Sequence, residues 1–253
     1  MHYTNAIARL PSSTCGQGLT TSALGAPDAQ KTRLQFDAYI STLLGLGLTV
    51  SVLPEQPAFP DSHFVEDTAV VGPEFAVLTH PGAPSRQGET ATIEPVLSRY
   101  RSVTRMSADA HMDGGDVLMV EKRFFVGLTS RTDEAGIREF AAVVEPFGYR
   151  VHCVEVSEGL HLKSIVNYVG RNTLILNEEG ARNPIFAGFT HLVLSKQEEY
   201  AGNTLWINDI LITPIGYPDT LSKLQTVGLP ILQLDTSEIK KMDGGLTCLS
   251  LRF

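Results

Sequence analysis

Asp113-Gly114-Gly115-Asp116-Val117-Leu118-Met119-Val120-Glu121-Lys122-Arg123-Phe124-Phe125-Val126-Gly127 reads as a tight antiparallel pair of strands. A polar opening leads into the apolar run Val117–Val120, polar residues turn the chain, and Phe124–Gly127 brings it back. A helix follows. Thr132 or Asp133 can cap it, Ile137, Phe140, Val143, Val144 and Phe147 share one face, and Gly148 stops it. The apolar stretch Val151–Val156 supplies a third strand.

The same unit recurs on both sides. Upstream, Glu66-Asp67 opens Thr68–Val71, Gly72-Pro73-Glu74 turns it, and Phe75–Thr79 returns. A helical segment near Ala91–Tyr100 and a strand at Ser102–Met106 complete that copy. Downstream, one copy opens on His161 and turns at Gly170-Arg171-Asn172, and another opens near Asn203 and turns at Asn208-Asp209. Lys241–Phe253 is half a unit. The chain start supplies the remainder: a strand at Ala6–Leu10, a helix from about Asp28 to Leu44 and a strand at Leu48–Leu53. Unit starts at 66, 113, 161, 203 and 243 are 47, 48, 42 and 40 residues apart.

The expected fold is therefore α/β: one domain over residues 1–253, built as a five-bladed propeller of ββαβ units with the fifth shared by both termini. An open α/β sandwich with coincidental spacing is the alternative, but closure removes exposed sheet edges. In a closed array the opening residues face one axis. That brings together Glu66, Asp67, Asp113, His161, Asn203 and the Asp243 to Cys248 segment.

A thiolate is a strong nucleophile, a neighbouring imidazole moves its proton, and a carboxylate fixes the imidazole. Asp113 is placed for the last task. Further acids at Asp61, Glu66 and Asp67 would repel a developing oxyanion. They suit a substrate that is itself a planar, delocalised cation such as a guanidinium. The expected chemistry is attack by Cys248 on the guanidinium carbon, with His161 protonating the leaving amine and then activating water.

Other cysteines and histidines read differently. Cys15 in a polar loop and Cys153 in an apolar strand are taken as bystanders, and His2, His63, His80, His111, His152 and His191 as surface or satisfied core residues. No Cys or His pair has a structural zinc spacing, and the Gly-Gly pairs match no phosphate loop. No metal and no cofactor are expected.

Composition narrows the class. A net charge of −8 with no Lys/Arg cluster argues against nucleic acid and anionic membranes, and suits a cationic ligand. Three cysteines without regular spacing are not a disulfide framework. Met1-His2-Tyr3-Thr4-Asn5 has no basic region followed by an apolar core, so no signal peptide is expected; Leu43–Leu53 is too short and interrupted to span a bilayer, and a cytoplasmic location is expected.

Phe59-Pro60-Asp61-Ser62-His63-Phe64-Val65-Glu66-Asp67, Asp113-Gly114-Gly115-Asp116, Gly127-Leu128-Thr129-Ser130-Arg131-Thr132, Leu160-His161-Leu162-Lys163 and Met242-Asp243-Gly244-Gly245-Leu246-Thr247-Cys248-Leu249-Ser250-Leu251-Arg252-Phe253 resemble the dimethylarginine dimethylaminohydrolase family of guanidine-modifying enzymes. The resemblance runs along the whole chain in order. It implies the pentein propeller and hydrolysis of asymmetric dimethylarginine or monomethylarginine to citrulline and dimethylamine or methylamine. It implies Cys248 as nucleophile, His161 as acid and base, and Asp113 at a position that is Glu in some members. Glu66 and Asp67 match residues near the guanidinium, and Arg86 and Arg131 match residues for the substrate carboxylate. Asp61 and the main chain of Leu19 match α-amino contacts; Phe64, Met242 and Asp243 complete the pocket. The loop from Gly16 to Ala26 is either a lid or a plain connector. Arginine deiminase-like hydrolysis, amidinotransfer and a non-enzymatic binder of cationic amino acids are the alternatives. The expected partner is a small molecule, with a homodimer as the protein assembly this reading allows.

Overall fold

A computed structural model describes residues 2–157 and 159–253. Five three-stranded sheets surround an axis, as the repeat predicts. The first contains Ala69–Val71, Ala76–Leu78 and Val103–Arg105; the second Val117–Val120, Arg123–Leu128 and Arg150–Glu155. The third contains Val166–Tyr168, Thr173–Leu176 and Thr190–Val193; the fourth Leu205–Ile207, Ile210–Pro214 and Ile231–Leu234. In every sheet the first strand runs antiparallel to the second and the second parallel to the third. The fifth sheet joins the two ends of the chain. Leu251–Arg252 lies antiparallel to Asn5–Arg9, with Ala6 opposite Arg252 and Ile7 opposite Leu251, and Thr49–Leu53 adds the third strand.

Burial follows radius. Middle strands such as Leu174–Leu176 are buried throughout, whereas outer strands such as Thr49–Leu53 are half open to solvent. Helices cover the outside. Ala29–Gly45 starts where Asp28 accepts from Lys31 N at 2.7 Å, and it buries Phe36, Tyr39 and Leu43. Glu134–Val144 is capped by Asp133, which accepts from Gly136 N at 2.7 Å. Thr132 is not the cap because its hydroxyl is donated inward to Asp116. Phe140 is fully buried and meets Phe124 edge-on, with ring centres 5.0 Å apart; burying such a ring is worth roughly 1.5–3 kcal/mol. Phe147 leaves that face at 43% exposure, because Pro146 turns the chain into a 3₁₀ segment first. Near Ala91–Tyr100 the expected single helix is a 3₁₀ segment, Pro84–Thr92, then a short α-helix, Glu94–Leu97, restarted at Pro95.

One local feature differs from expectation and organises the centre. Each first strand opens not on an extended residue but from a 3₁₀ turn: Val65–Thr68, Gly114–Asp116, Leu162–Ser164, Glu199–Gly202 and Thr247–Leu249. A turn aims consecutive side chains at the axis, which an extended strand cannot do, since its side chains alternate. These turns are stitched into a ring. Gly115 N donates to Asp67 at 2.8 Å, Leu162 N to Asp116 at 2.8 Å, and Asn167 Nδ2 to Gly202 O at 2.9 Å. Thr247 N donates to Asn203 Oδ1 at 2.9 Å, and Arg252 to Glu66 at 3.0 Å completes the circuit.

Candidate active site

Cys248 sits in the middle of the fifth turn, where Gly245 N donates to its Sγ at 3.4 Å. His161 stands at the head of the third turn and Asp113 at the head of the second. Their side chains meet: His161 Nε2 lies 2.9 Å from Asp113 Oδ2. Asp113 is fully buried and also accepts from Gly82 N at 2.9 Å, and Arg131 Nη1 approaches the same Oδ2 to 3.4 Å. Gly115 must be glycine here. A Cβ on it would stand 2.7 Å from His161 Nδ1 and 2.8 Å from Asp67 Oδ1.

The cavity has two lobes that share His161, Asp243, Gly244 and Cys248. Of the twelve residues singled out from sequence, ten line the first lobe, the exceptions being Asp113 and Glu66. Asp113 lies behind His161. Glu66 lines the second lobe together with Asn203, Lys163 and Tyr200. Its Oε1 is held by Lys163 Nζ at 2.7 Å and Arg252 Nη2 at 3.0 Å, while its buried Oε2 has no hydrogen-bond partner among the described residues. Sequence reasoning quoted Lys163 and Arg252 only within motifs; a cation beside each turn was the available signal.

Asp67 accepts from Gly115 N on one oxygen and from Arg86 on the other. Arg86 is buried rather than solvated, and it also forks onto Glu89, which was not anticipated. Burial pushes the Glu89 carboxyl up to about 7, with Arg86 pulling against it. Arg131 is less committed. At the mouth, Leu19 N donates to Asp61 at 3.0 and 3.2 Å, and Asp243 accepts from Thr20 Oγ1, Thr21 N and Thr21 Oγ1. These bonds hold the 16–26 loop across the first lobe, so Asp243 is spent on the loop.

Burial of two cysteines and one histidine does not follow from their sequence neighbours. Cys15 is 3% exposed and packs into the core, whereas Cys153 is exposed on an outer strand. His63 is neither surface nor satisfied. It is fully buried, neither ring nitrogen has a partner among the described residues, its ring centre lies 4.0 Å from that of Phe64, and burial beside Arg86 drops it to about 3.

The charges set the protonation states. Burial lifts the Cys248 thiol to about 12, and Glu66 and Asp67 add to the rise. Burial alone would lower His161, but Asp67, Asp113 and Asp116 outweigh it and carry the imidazole to about 9. At neutral pH the resting pair is a thiol and an imidazolium. Asp67, Asp113 and His161 also offer ligand atoms within 4.8 Å of one another. The carboxylates of that set are already engaged by Gly115, Arg86 and Gly82.

Residues 26–184 match the family model described as N,N dimethylarginine dimethylhydrolase, eukaryotic. The N(G),N(G)-dimethylarginine dimethylaminohydrolase of Pseudomonas aeruginosa is 38% identical over 253 residues, 99% of this chain and 100% of that protein. A solved structure of a Pseudomonas aeruginosa cysteine-to-serine mutant complexed with citrulline superposes with a TM-score of 0.98 at 37% identity, covering 100% of both chains. A histidine-to-glycine dimethylarginine dimethylaminohydrolase, as an adduct with S-methyl-L-thiocitrulline, gives 0.97 at 38% identity over 99% of this chain and 100% of that one. This chain belongs to the dimethylarginine dimethylaminohydrolase family.

Proposed function

We propose that this chain hydrolyses asymmetric dimethylarginine and monomethylarginine to citrulline and dimethylamine or methylamine, through a covalent intermediate on Cys248. One observation carries the reading: the Cys248 thiol and an imidazole oriented from behind by Asp113 face a cavity lined by Glu66, whose Oε2 has no hydrogen-bond partner among the described residues. A guanidinium is the cation that fits such an oxygen while presenting an electrophilic carbon. Family membership supports the same substrate class.

The amino-acid end belongs in the first lobe. There Asp61 and the Leu19 carbonyl would take the ammonium, and Arg131 and Arg86 the carboxylate. Arg86 is already neutralised by Asp67 and Glu89, so Arg131 carries the larger share. Phe64 and Met242 flank the alkyl chain.

A thiol near 12 is inert, but an arriving cation favours its ionisation. A unit charge about 4 Å away contributes roughly 4 kcal/mol at a protein-like dielectric, or about three pKa units. The thiol releases its proton to solvent and the thiolate attacks the guanidinium carbon. The His161 imidazolium, oriented by Asp113, protonates the departing amine nitrogen as the C–N bond breaks, leaving a thiouronium cation on sulfur. Neutral His161 then takes a proton from water as its oxygen attacks the same carbon. Breaking the C–S bond releases the ureido product and the thiolate, which is reprotonated.

We take residues 1–253 as one domain acting in the cytoplasm. No helix of the described residues is long and apolar enough to cross a membrane. The test is direct: incubate the protein with arginine, monomethylarginine and asymmetric dimethylarginine, and measure citrulline. Citrulline formed mainly from arginine overturns the assignment.

A further inference from the structure

The Asp113-Gly114-Gly115-Asp116 motif has two acids, and only the first touches His161. Asp116 is fully buried and lines neither lobe of the cavity. No cation is paired with it among the described residues. Instead it accepts three hydrogen bonds from neutral donors: Leu162 N at 2.8 Å on Oδ1, and Thr129 Oγ1 at 2.8 Å and Thr132 Oγ1 at 2.6 Å on Oδ2.

Each donor leads to a different residue of the site. Leu162 follows His161 directly, so its N–H fixes the head of the third turn. Thr132 Oγ1 accepts in turn from Asp113 N at 3.1 Å. Thr129 Oγ1 accepts from Arg131 N at 3.0 Å and Thr132 N at 3.1 Å, shaping the turn that carries the Arg131 guanidinium. Gly127 leaves the room: a Cβ there would stand 2.8 Å from Asp116 Oδ1 and 2.9 Å from Leu162 Cβ. One carboxylate thus suspends imidazole, orienting acid and arginine from a single point.

We infer that Asp116 is a positioning residue for the hydrolytic reaction, locking His161, Asp113 and Arg131 to one another and adding negative charge around the His161 ring. A carboxamide cannot do the same. With its oxygen toward Leu162, its nitrogen faces two hydroxyls that need an acceptor, so the protons of buried Thr132 and half-buried Thr129 are orphaned. The charge matters as well, because an unpaired buried carboxylate is costly and a neutral acceptor would suffice for packing alone. Asp116 is one of the groups that raise His161.

The inference rests on the assignment of Cys248, His161 and Asp113 as the reacting set, and its test has an arm that needs no turnover. In Asp116→Asn, the His161 ring is titrated by NMR with labelled histidine, and citrulline formation from asymmetric dimethylarginine is followed against pH. The expected result is a His161 midpoint lower by about half a unit or more. The same variant should lose roughly a hundredfold in kcat, the scale for an ångström of misplacement, with the alkaline limb moved to lower pH. A His161 midpoint unmoved from the wild type together with an unchanged kcat would refute it, whatever happens to Tm. If wild-type protein forms no citrulline, the NMR arm still decides for Asp116 while the substrate assignment falls. Should Asp116→Asn not fold, Thr132→Val decides: it keeps the charge and removes the hydroxyl that links Asp116 to Asp113 N. A kcat reduced about tenfold or more with an unmoved His161 midpoint supports the role, and an unchanged kcat overturns it.

Discussion

Replacing Glu66 by glutamine should make the protein less stable and its thiol more reactive at once. Glu66 Oε1 is the shared acceptor of Lys163 and Arg252, whose side chains are 13% and 12% exposed. Removing the acid leaves two buried cations facing each other. Breaking a buried pair costs about 3–5 kcal/mol. Here the cations keep other acceptors: Lys163 has Gly114 O, and Arg252 has Thr247 O and Ser250 O. The lower end, about 3 kcal/mol, is therefore expected, which for a chain of this length lowers Tm by roughly 6–12 °C. The same substitution removes the charge that, after burial, most raises Cys248, and exposes the thiol to two unbalanced cations. The thiol pKa should fall by roughly one to three units from about 12. Differential scanning calorimetry reads the first effect, and the pH dependence of iodoacetamide alkylation of Cys248 reads the second. Turnover should still drop, because the guanidinium loses its acceptor. An unchanged Tm, or a thiol no easier to ionise, would show that Glu66 is not the hinge between the two cations and the sulfur.

Cys248→Ser should abolish citrulline formation while substrate binding, measured by calorimetry, persists; an active serine variant refutes covalent catalysis by this residue. Arg131→Ala should raise KM at least tenfold with a smaller loss in kcat, and unchanged kinetics would remove Arg131 from the site. Because His161 acts first as an acid and sits at about 9, kcat should hold through neutral pH and fall as pH rises past that value. The same group has a stability signature. Its folded pKa lies above the ordinary 6.5, so its contribution is complete below about 6.5 and disappears as pH rises through about 9, which thermal unfolding between pH 6 and 10 would follow.

Much of the fold was readable because its punctuation is local. Arg171, Asn172, Asn208 and Asp209 all have φ between 48° and 62°, the left-handed hairpin turns that Asn and Asp favour. Once turns and periods placed five units, the meeting of Cys248, His161 and the acids followed from topology. The rest depends on contacts between blades, which leave no local pattern. Nothing near Glu66 says that its oxygens divide between a cation pair and a cavity, or near Asp116 that it holds Leu162. Cys15 has polar neighbours in sequence, yet its side chain turns under the loop into the core. Glu89 was invisible for a related reason: a lone glutamate in a 3₁₀ stretch reads as solvated until Arg86 is found folded back onto it.

The ends of the chain are zipped together in the same blade that carries Cys248: Asn5 N donates to Phe253 O at 2.8 Å and Phe253 N to Asn5 O at 3.0 Å. The five blades form a hoop, and this pairing is its fastener. Fraying at the fastener therefore removes the nucleophile from its partners in the same event that opens the hoop. Damage at this seam should therefore take closure and activity away together.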